Sequence, residues 1–310
     1  MKLFIKNSIL FVLPIILLLV VLEIIVGSIP NSYSYKYNYV RKNGEKIQAI
    51  AIGHSQLYDG FKSESFYLPS FNLCNSGQGY LDNFYLLGEL LPYMPNLKMV
   101  IMPIGYINVG KTKDNIEDIE LTDRSCYYHK YMNIDYDGHV PLKYLFECFD
   151  PFRSAKKIVS YYVLHSDIVG CDSMGRRSTH YLKNRKHALG ENNLFELYTC
   201  KEYDSDKMCL KEESYLVKTF DKLMKKKIQV VLVSPPYYWN CGFGIANKEQ
   251  KMFAKNRITE LRKKYPIQYI DLESDTTFTY DDFFDETHLS ELGAEKFTQL
   301  LSKKVKSMCE

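Results

Sequence analysis

Residues 47–61 read IQAIAIGHSQLYDGF, and the break in the middle of this stretch decides the fold class. Ile47, Ala49, Ile50, Ala51 and Ile52 form a short, nearly unbroken apolar run that stops at Gly53. Such a run reads as a strand buried on both faces, as in a parallel sheet covered by helices. Gly53-His54-Ser55-Gln56 follows at once, so a serine hydroxyl stands just past the carboxyl end of that strand. Open α/β sheets collect ligands and reacting groups on this edge. Ser55 is therefore the candidate nucleophile. A serine in this place also serves as a turn residue or helix cap, and the stretch alone does not choose between the two.

A serine hydroxyl attacks at neutral pH only when a base takes its proton, and the base works only when its other nitrogen is held in one tautomer. Near the far end of the chain, Asp285-Glu286-Thr287-His288-Leu289-Ser290 precedes a last amphipathic helix. The three-residue step lets one loop present an imidazole with a carboxylate beside it. His288 is the candidate base and Asp285 its orienting partner. Each has a plainer role available, a surface or capping histidine and a turn carboxylate. Neither plainer role accounts for a serine and a glycine turn on the same sheet edge.

Three motifs in this order resemble the GDSL or SGNH hydrolase superfamily. Gly53-His54-Ser55 is similar to its nucleophile motif, Asn75-Ser76-Gly77-Gln78-Gly79 to its glycine motif, and Asp285 with His288 to its terminal Asp-x-x-His. The resemblance spans about residues 47–305 and implies a three-layer α/β/α sandwich with a mostly parallel sheet. It also implies Ser55, His288 and Asp285 as catalytic residues, with the backbone N–H groups of Ser55 and Gly77 as oxyanion donors and an asparagine amide as the third. Two positions depart from the pattern. The family has Asp or Asn before its serine where this chain has His54, and its Gly-x-Asn-Asp block reads Gly105-Tyr106-Ile107-Asn108-Val109 here, which sets Asn108 one residue late. One such donor is worth about 3 kcal/mol of transition-state stabilisation, so the offset bears on the chemistry. Membrane-anchored branches similar to the DltD and alginate-acetylation families also depart from the full motif set, and this chain resembles them more than secreted lipases.

Lys2 and Lys6 flank the start of an apolar segment over about residues 9–29, interrupted by Pro14 and Glu23. About 20 apolar residues suffice to cross a bilayer. The length of the segment and the lack of an Ala-x-Ala-like site favour an uncleaved transmembrane anchor over residues 1–30 rather than a removed signal peptide. Basic residues ahead of the span put the body outside the cytoplasm at the cell membrane, although Lys36, Arg41 and Lys42 follow it too. Residues 31–46 read as a juxtamembrane linker in which Tyr33, Tyr35, Tyr37 and Tyr39 recur at period two. If extended, they share one face, suited to headgroups, to a sugar, or to packing on the body.

The body, residues 47–310, alternates strand and helix. Residues 71–75 form a short strand, Leu81, Phe84, Tyr85, Leu87, Leu90 and Leu91 recur at helical spacing, and residues 99–102 form another buried strand. Right-handed crossovers make these strands parallel and gather the Ser55, Gly77 and Gly105 turns on one edge. The alternation lapses over about residues 111–211, too long for a bare loop, which marks an inserted subdomain serving as a lid or as a structural cap. Within it Arg176, Arg177, Lys183, Arg185 and Lys186 make a basic loop, fit for an anionic polymer, headgroups or phosphate, or simply solvated. His180 and His187 have no convincing companion ligands, so neither a metal nor a cofactor is expected. Beyond the insert, residues 228–233 are the most strand-like run in the chain, and Ser234-Pro235-Pro236-Tyr237-Tyr238-Trp239 leaves its carboxyl end. Tyr237, Tyr238 and Trp239 are candidate substrate contacts, or a packed Pro-Pro turn. Asn247 caps a further helix, and residues 267–271 form the last strand.

With 40 basic against 37 acidic residues and no nucleic-acid motif, the chain is not expected to bind nucleic acid. The 26 tyrosines and 17 phenylalanines supply ample core area and suit carbohydrate contact. The eight cysteines show no C-x-x-C spacing, and disulfides among Cys126, Cys148, Cys171, Cys200, Cys209 and Cys241 are open outside the cytoplasm. The expected activity is acyl-ester chemistry on a cell-envelope polysaccharide, as esterase or O-acyltransferase, with acetyl the group implied by family analogy. A multispanning membrane protein is an open candidate for acyl donor. The rival from another class is a non-catalytic glycan-binding or scaffolding protein with the same fold, for which His54 and Asn108 argue.

Overall fold

The computed structural model describes residues 1–104, 123–136, 146–166, 168–185, 189, 210–238 and 248–309. In chain order its principal elements are α1 (Lys2–Ser28), α2 (Ser32–Asn43), β1 (Ala49–Ala51), α3 (Ser55–Gly60), β2 (Ser70–Asn72), α4 (Tyr80–Leu90), β3 (Met99–Pro103), α5 (Asp123–Met132), α6 (Pro151–Ile158), α7 (Leu210–Lys225), β4 (Gln229–Ser234), α8 (Lys248–Lys264), β5 (Gln268–Asp271) and α9 (Glu291–Cys309). They form two compact units, residues 1–35 with 120–170, and residues 36–119 with 171–310.

The second unit is built on a five-stranded parallel sheet in the order β2-β1-β3-β4-β5. β1 is buried along its whole length, with Ile50 opposite Phe71 on one side and Val100 on the other. The chain steps one way from β1 to β2, then crosses back to β3, β4 and β5. Right-handed crossovers in opposite directions place their helices on opposite faces of a sheet. Packing agrees, since α3 lies against α9 and α4 against α7. α4 and α7 bury Leu86, Leu87, Leu90, Phe220 and Leu223, while α3 and α9 bury Leu57, Phe297 and Leu301. Each such side chain is worth about 2 kcal/mol of apolar transfer. The reversal of strand order falls between β1 and β3, the crevice where sheets of this kind take ligands. Ser55 begins α3 immediately beyond β1.

Three expectations are corrected. The strand foreseen over residues 71–75 ends at Asn72. The Asn72 side chain intervenes: its Oδ1 accepts from Cys74 N at 3.0 Å, and its Nδ2 donates to Leu57 O at 2.8 Å and Phe61 O at 2.9 Å. Most of the presumed linker, residues 31–46, is the helix α2, so the period-two tyrosine face does not exist. Residues four apart share a helix face, and the inward row is Lys36 with Val40, both fully buried. The tyrosines pack on protein: Tyr39 stacks on Phe71 with ring centroids 4.1 Å apart, Tyr37 donates to Glu89 at 2.8 Å, and in the first unit Tyr33 stacks on Tyr127 at 5.3 Å. The described residues of the insert do not form one unit either, because those within 120–170 cluster with the N-terminal helix while those from 171 onward belong to the sheet unit. In the first unit α1 packs against α6, and its stretch Leu3–Ser28 is long and apolar enough to cross a membrane.

Candidate active site

The turn after β1 is shaped by Gly53, whose φ of +141° lies in the region that favours glycine. A Cβ there would stand 2.4 Å from Pro103 Cδ, so only a glycine lets this turn pass the end of β3. His54 then caps α3, its Nδ1 accepting from Gln56 N at 3.4 Å. Asp and Asn are strong caps for the same reason, and the imidazole fills that structural role here. The glycine turn lies beside the serine turn, because Asn75 N donates to Gly53 O at 3.1 Å. Gly77 follows at φ +66°.

Ser55 Oγ lies 2.8 Å from His288 Nε2, and His288 Nδ1 lies 2.8 Å from Asp285 Oδ2 and 2.9 Å from Oδ1. The three residues expected to act together thus form one hydrogen-bonded line. A carboxylate only accepts, so Nδ1 carries the ring proton and Nε2 is free to accept from the serine hydroxyl. The loop holds Asp285 firmly: its Oδ1 accepts from Thr287 N at 2.9 Å, Thr287 Oγ1 at 3.1 Å and His288 N at 2.9 Å. Burial pushes the Asp285 carboxyl up, but the hydrogen bond and charge of His288 and the Thr287 donors outweigh it and hold the group far below the usual carboxylate range. Burial pushes His288 down, and the Asp285 hydrogen bond, its charge and the charge of Asp59 together raise it above the ordinary histidine value. Ser290 Oγ accepts from Gly293 N at 3.2 Å at the start of α9, fixing the exit of the loop.

Asp59, one turn after Ser55 on α3, was not foreseen. It is fully buried, with Oδ2 3.9 Å from His288 Nε2 and Oδ1 3.0 Å from Arg177 Nε and 3.1 Å from His180 Nδ1. Arg177 also donates to Ser76 Oγ at 2.6 Å and lies 3.0 Å from His180 Nε2. His180 stacks on Phe284 at 4.1 Å. Three of the five basic residues read as a loop for a polymer or solvent are instead tied into the fold, while Lys183 is exposed: Arg177 is tied to Asp59, Arg176 is buried with Nε donating to Asp59 O at 2.8 Å, and Arg185 donates to Phe283 O at 3.0 Å. Asp59, His180 and His288 offer ligand atoms within 4.8 Å of one another. The Arg177 guanidinium already supplies the positive charge at Asp59 and His288 faces Ser55, so the trio does not fit a metal ion. The spacing of Asp59 four residues after Ser55 was the one available signal, since i and i+4 share a helix face.

Lys36 was also missed. Its fully buried ammonium donates to Cys74 O and to Asn75 Oδ1, the latter at 3.3 Å, so it supports the glycine turn from within, and burial pulls its pKa down to about 8. Tyr237 donates to Gln56 Oε1 at 3.4 Å and Tyr238 N to Glu286 O at 3.0 Å, which sets both beside the line, but both side chains are buried. Cys74, Cys126 and Cys148 are buried free thiols, against the disulfides left open for two of them, and Cys171 is buried as well. Gly105, Asn108, Lys186, His187, Cys200, Cys209, Trp239, Cys241 and Asn247 lie outside the described residues.

No family model matches the chain, and no curated protein does. Among solved structures, a protein assigned as an acylhydrolase from Bacteroides fragilis NCTC 9343 is similar with a TM-score of 0.39 at 11% identity, over 88% of this chain and 96% of that one. The lipase/acylhydrolase from Enterococcus faecalis is similar with a TM-score of 0.39 at 11% identity, over 84% of this chain and 97% of that one.

Proposed function

We propose that this chain is a membrane-anchored serine acyl-ester enzyme of the SGNH type, an esterase or O-acyltransferase acting on a cell-envelope polysaccharide. The observation that carries the reading is the unbroken line from Ser55 Oγ through His288 to Asp285, with contacts of 2.8 Å on either side of the imidazole. Ser55 Oγ attacks the acyl carbonyl carbon while His288 Nε2 takes its proton, and Asp285 stabilises the imidazolium. The backbone N–H groups of Ser55 and Gly77 receive the oxyanion. Collapse breaks the ester C–O bond, passes the proton from His288 to the leaving alkoxide and leaves acyl-Ser55. His288 next takes a proton from the acceptor: water completes hydrolysis, and a sugar hydroxyl completes transfer. The apolar anchor and the resemblance to envelope-acetylating branches support the glycan as substrate and acetyl as the group.

The test is mass spectrometry of the intact protein after exposure to 4-nitrophenyl acetate, with Ser55→Ala and His288→Ala beside the wild type. The expected result is one acetyl adduct on Ser55 in the wild type, absent in Ser55→Ala and slow to form in His288→Ala. Three folded proteins with no adduct and no ester turnover would move the assignment to the non-catalytic glycan-binding scaffold.

A further inference from the structure

We infer that residues 146–164 are an interfacial membrane-binding element, with α6 lying in the headgroup layer where α1 leaves the bilayer. The inference rests on the reading of α1 as a membrane anchor. α6 runs into a π-helical turn, Val159–Val163, and the two together leave a row of large apolar side chains exposed. Phe152 is 89% exposed and Leu164 65%, with Val159, Tyr162 and Val163 also exposed. Positions 152, 159 and 163 recur at helical spacing on one side. Ser154, 1% exposed, instead faces inward and donates to Glu147 O at 2.8 Å, and Lys157 pairs with the Glu147 carboxylate. A helix in water buries its apolar face and solvates its charges. This one leaves Phe152, Val159 and Val163 outside together with Arg153 and Lys156, an outer face of apolar side chains bordered by cations.

What covers that face follows from α1. The polar network under α6 also grips the end of the anchor: Lys130 pairs with Glu23 and lies 3.2 Å from Glu147, and Cys148 N donates to Glu23 Oε2 at 3.0 Å. A Cβ on Gly27 would meet Lys130 Nζ at 3.2 Å, so the lysine crosses α1 at a glycine. Ser28 Oγ lies 3.2 Å from Tyr162 OH. Polar groups therefore meet one side of α1 at Glu23, Gly27 and Ser28. At about 1.5 Å per residue, the stretch before Glu23 spans roughly 30 Å, the thickness of the hydrocarbon layer. Glu23 thus marks the membrane surface, and the exposed apolar side of α6 is held at that level. Arg153 and Lys156 are exposed beside Phe152, as cations are in helices that lie on anionic lipid. The occupant is the lipid surface itself.

The test places a tryptophan at Phe152 or, as a control, at Ile16, each in full-length protein carrying Trp239→Phe, and reconstitutes them in phosphatidylcholine–phosphatidylglycerol vesicles. The lipids carry bromine near the headgroup or near the chain terminus. Phe152→Trp is expected to lose about half of its emission to the shallow bromines and little to aqueous acrylamide. Ile16→Trp is expected to respond to the deep bromines. A Phe152→Trp signal quenched by acrylamide and not by lipid, with Ile16→Trp still reporting the bilayer, overturns the interfacial element and leaves the anchor standing. Shielding of Phe152→Trp from both quenchers would mean that protein covers the face, which also overturns it. An Ile16→Trp signal blind to all bromines removes the anchor and this inference with it, and leaves the Ser55 chemistry untouched.

Discussion

Ser55, His288 and Asp285 were legible because each stands in a short motif and the motifs follow one order. Asp59, Arg177 and His180 were not, because a charged side chain reads as surface until its partner is known, and these partners lie more than a hundred residues away. Their effect is electrostatic and can be measured. Turnover needs a neutral imidazole, so kcat/KM rises with pH through the His288 pKa and levels above it. The carboxylates of Asp285 and Asp59 raise that pKa while Arg177 opposes them. Asp59→Asn removes one negative charge and leaves the guanidinium, so the acid limb moves to lower pH. A limb that stays in place in the pH profile of 4-nitrophenyl acetate hydrolysis would show that the charge of Asp59 does not reach the base. Asp285→Asn is a different kind of change, because it removes the acceptor that fixes the ring tautomer, and it is expected to lower kcat by about 10³–10⁴-fold with folding kept. The same shifts act on stability. A histidine whose folded pKa is raised contributes stability that is full below its unfolded pKa and is lost as pH rises through the folded value. The depressed Asp285 contributes stability above its unfolded pKa and loses it as pH falls, so their pairing favours the fold most between the two unfolded values.

At the scale of elements, β1, β3 and β4 were legible because strands buried on both faces leave apolar runs. β1 was read to within two residues, whereas the reversal of strand order that makes its end a crevice is visible only in the folded chain. α2 was misread for a physical reason: alternating Tyr with Ser, Lys and Asn satisfies period two, and what holds these residues helical is the long-range seating of Lys36 beneath Asn75. The strand end at Asn72 was overshot because Leu73 N and Asn75 N still donate to Ala51 O and Gly53 O, while the Asn72 side chain takes the Cys74 amide between them. Gly53 tests how tightly the serine turn is built. Gly53→Ala combines an unfavourable φ of +141° with a Cβ 2.4 Å from the Pro103 ring. Backbone strain alone costs about 1–3 kcal/mol, and displacing Pro103 adds to it. Urea unfolding of the variant is expected to show at least that loss, together with slower acetylation of Ser55. Unchanged stability would mean that the turn relaxes freely and does not fix the nucleophile.

Across the whole molecule, the division into two units puts the apolar helix α1 in one and the Ser55–His288–Asp285 line in the other. Ser55, His288 and Asp285 all belong to residues 36–119 and 171–310, whereas Glu23, Lys130 and Glu147 belong to the other unit. Lys130 is the cation shared by both of those carboxylates, and although burial lowers its pKa, the hydrogen bond to Glu23 and the charge of Glu147 raise it above the ordinary lysine value. Lys130→Met leaves Glu23 without that cation and Glu147 with Lys157 alone. Stranding a partly buried charge costs about 1–3 kcal/mol. That loss falls on residues 1–35 and 120–170, so limited proteolysis within 120–170 should accelerate. Acetylation of Ser55 by 4-nitrophenyl acetate should keep its wild-type rate, because no group in the reacting line touches this network. If acetylation slows in step with the loss of protease resistance, the two units unfold as one.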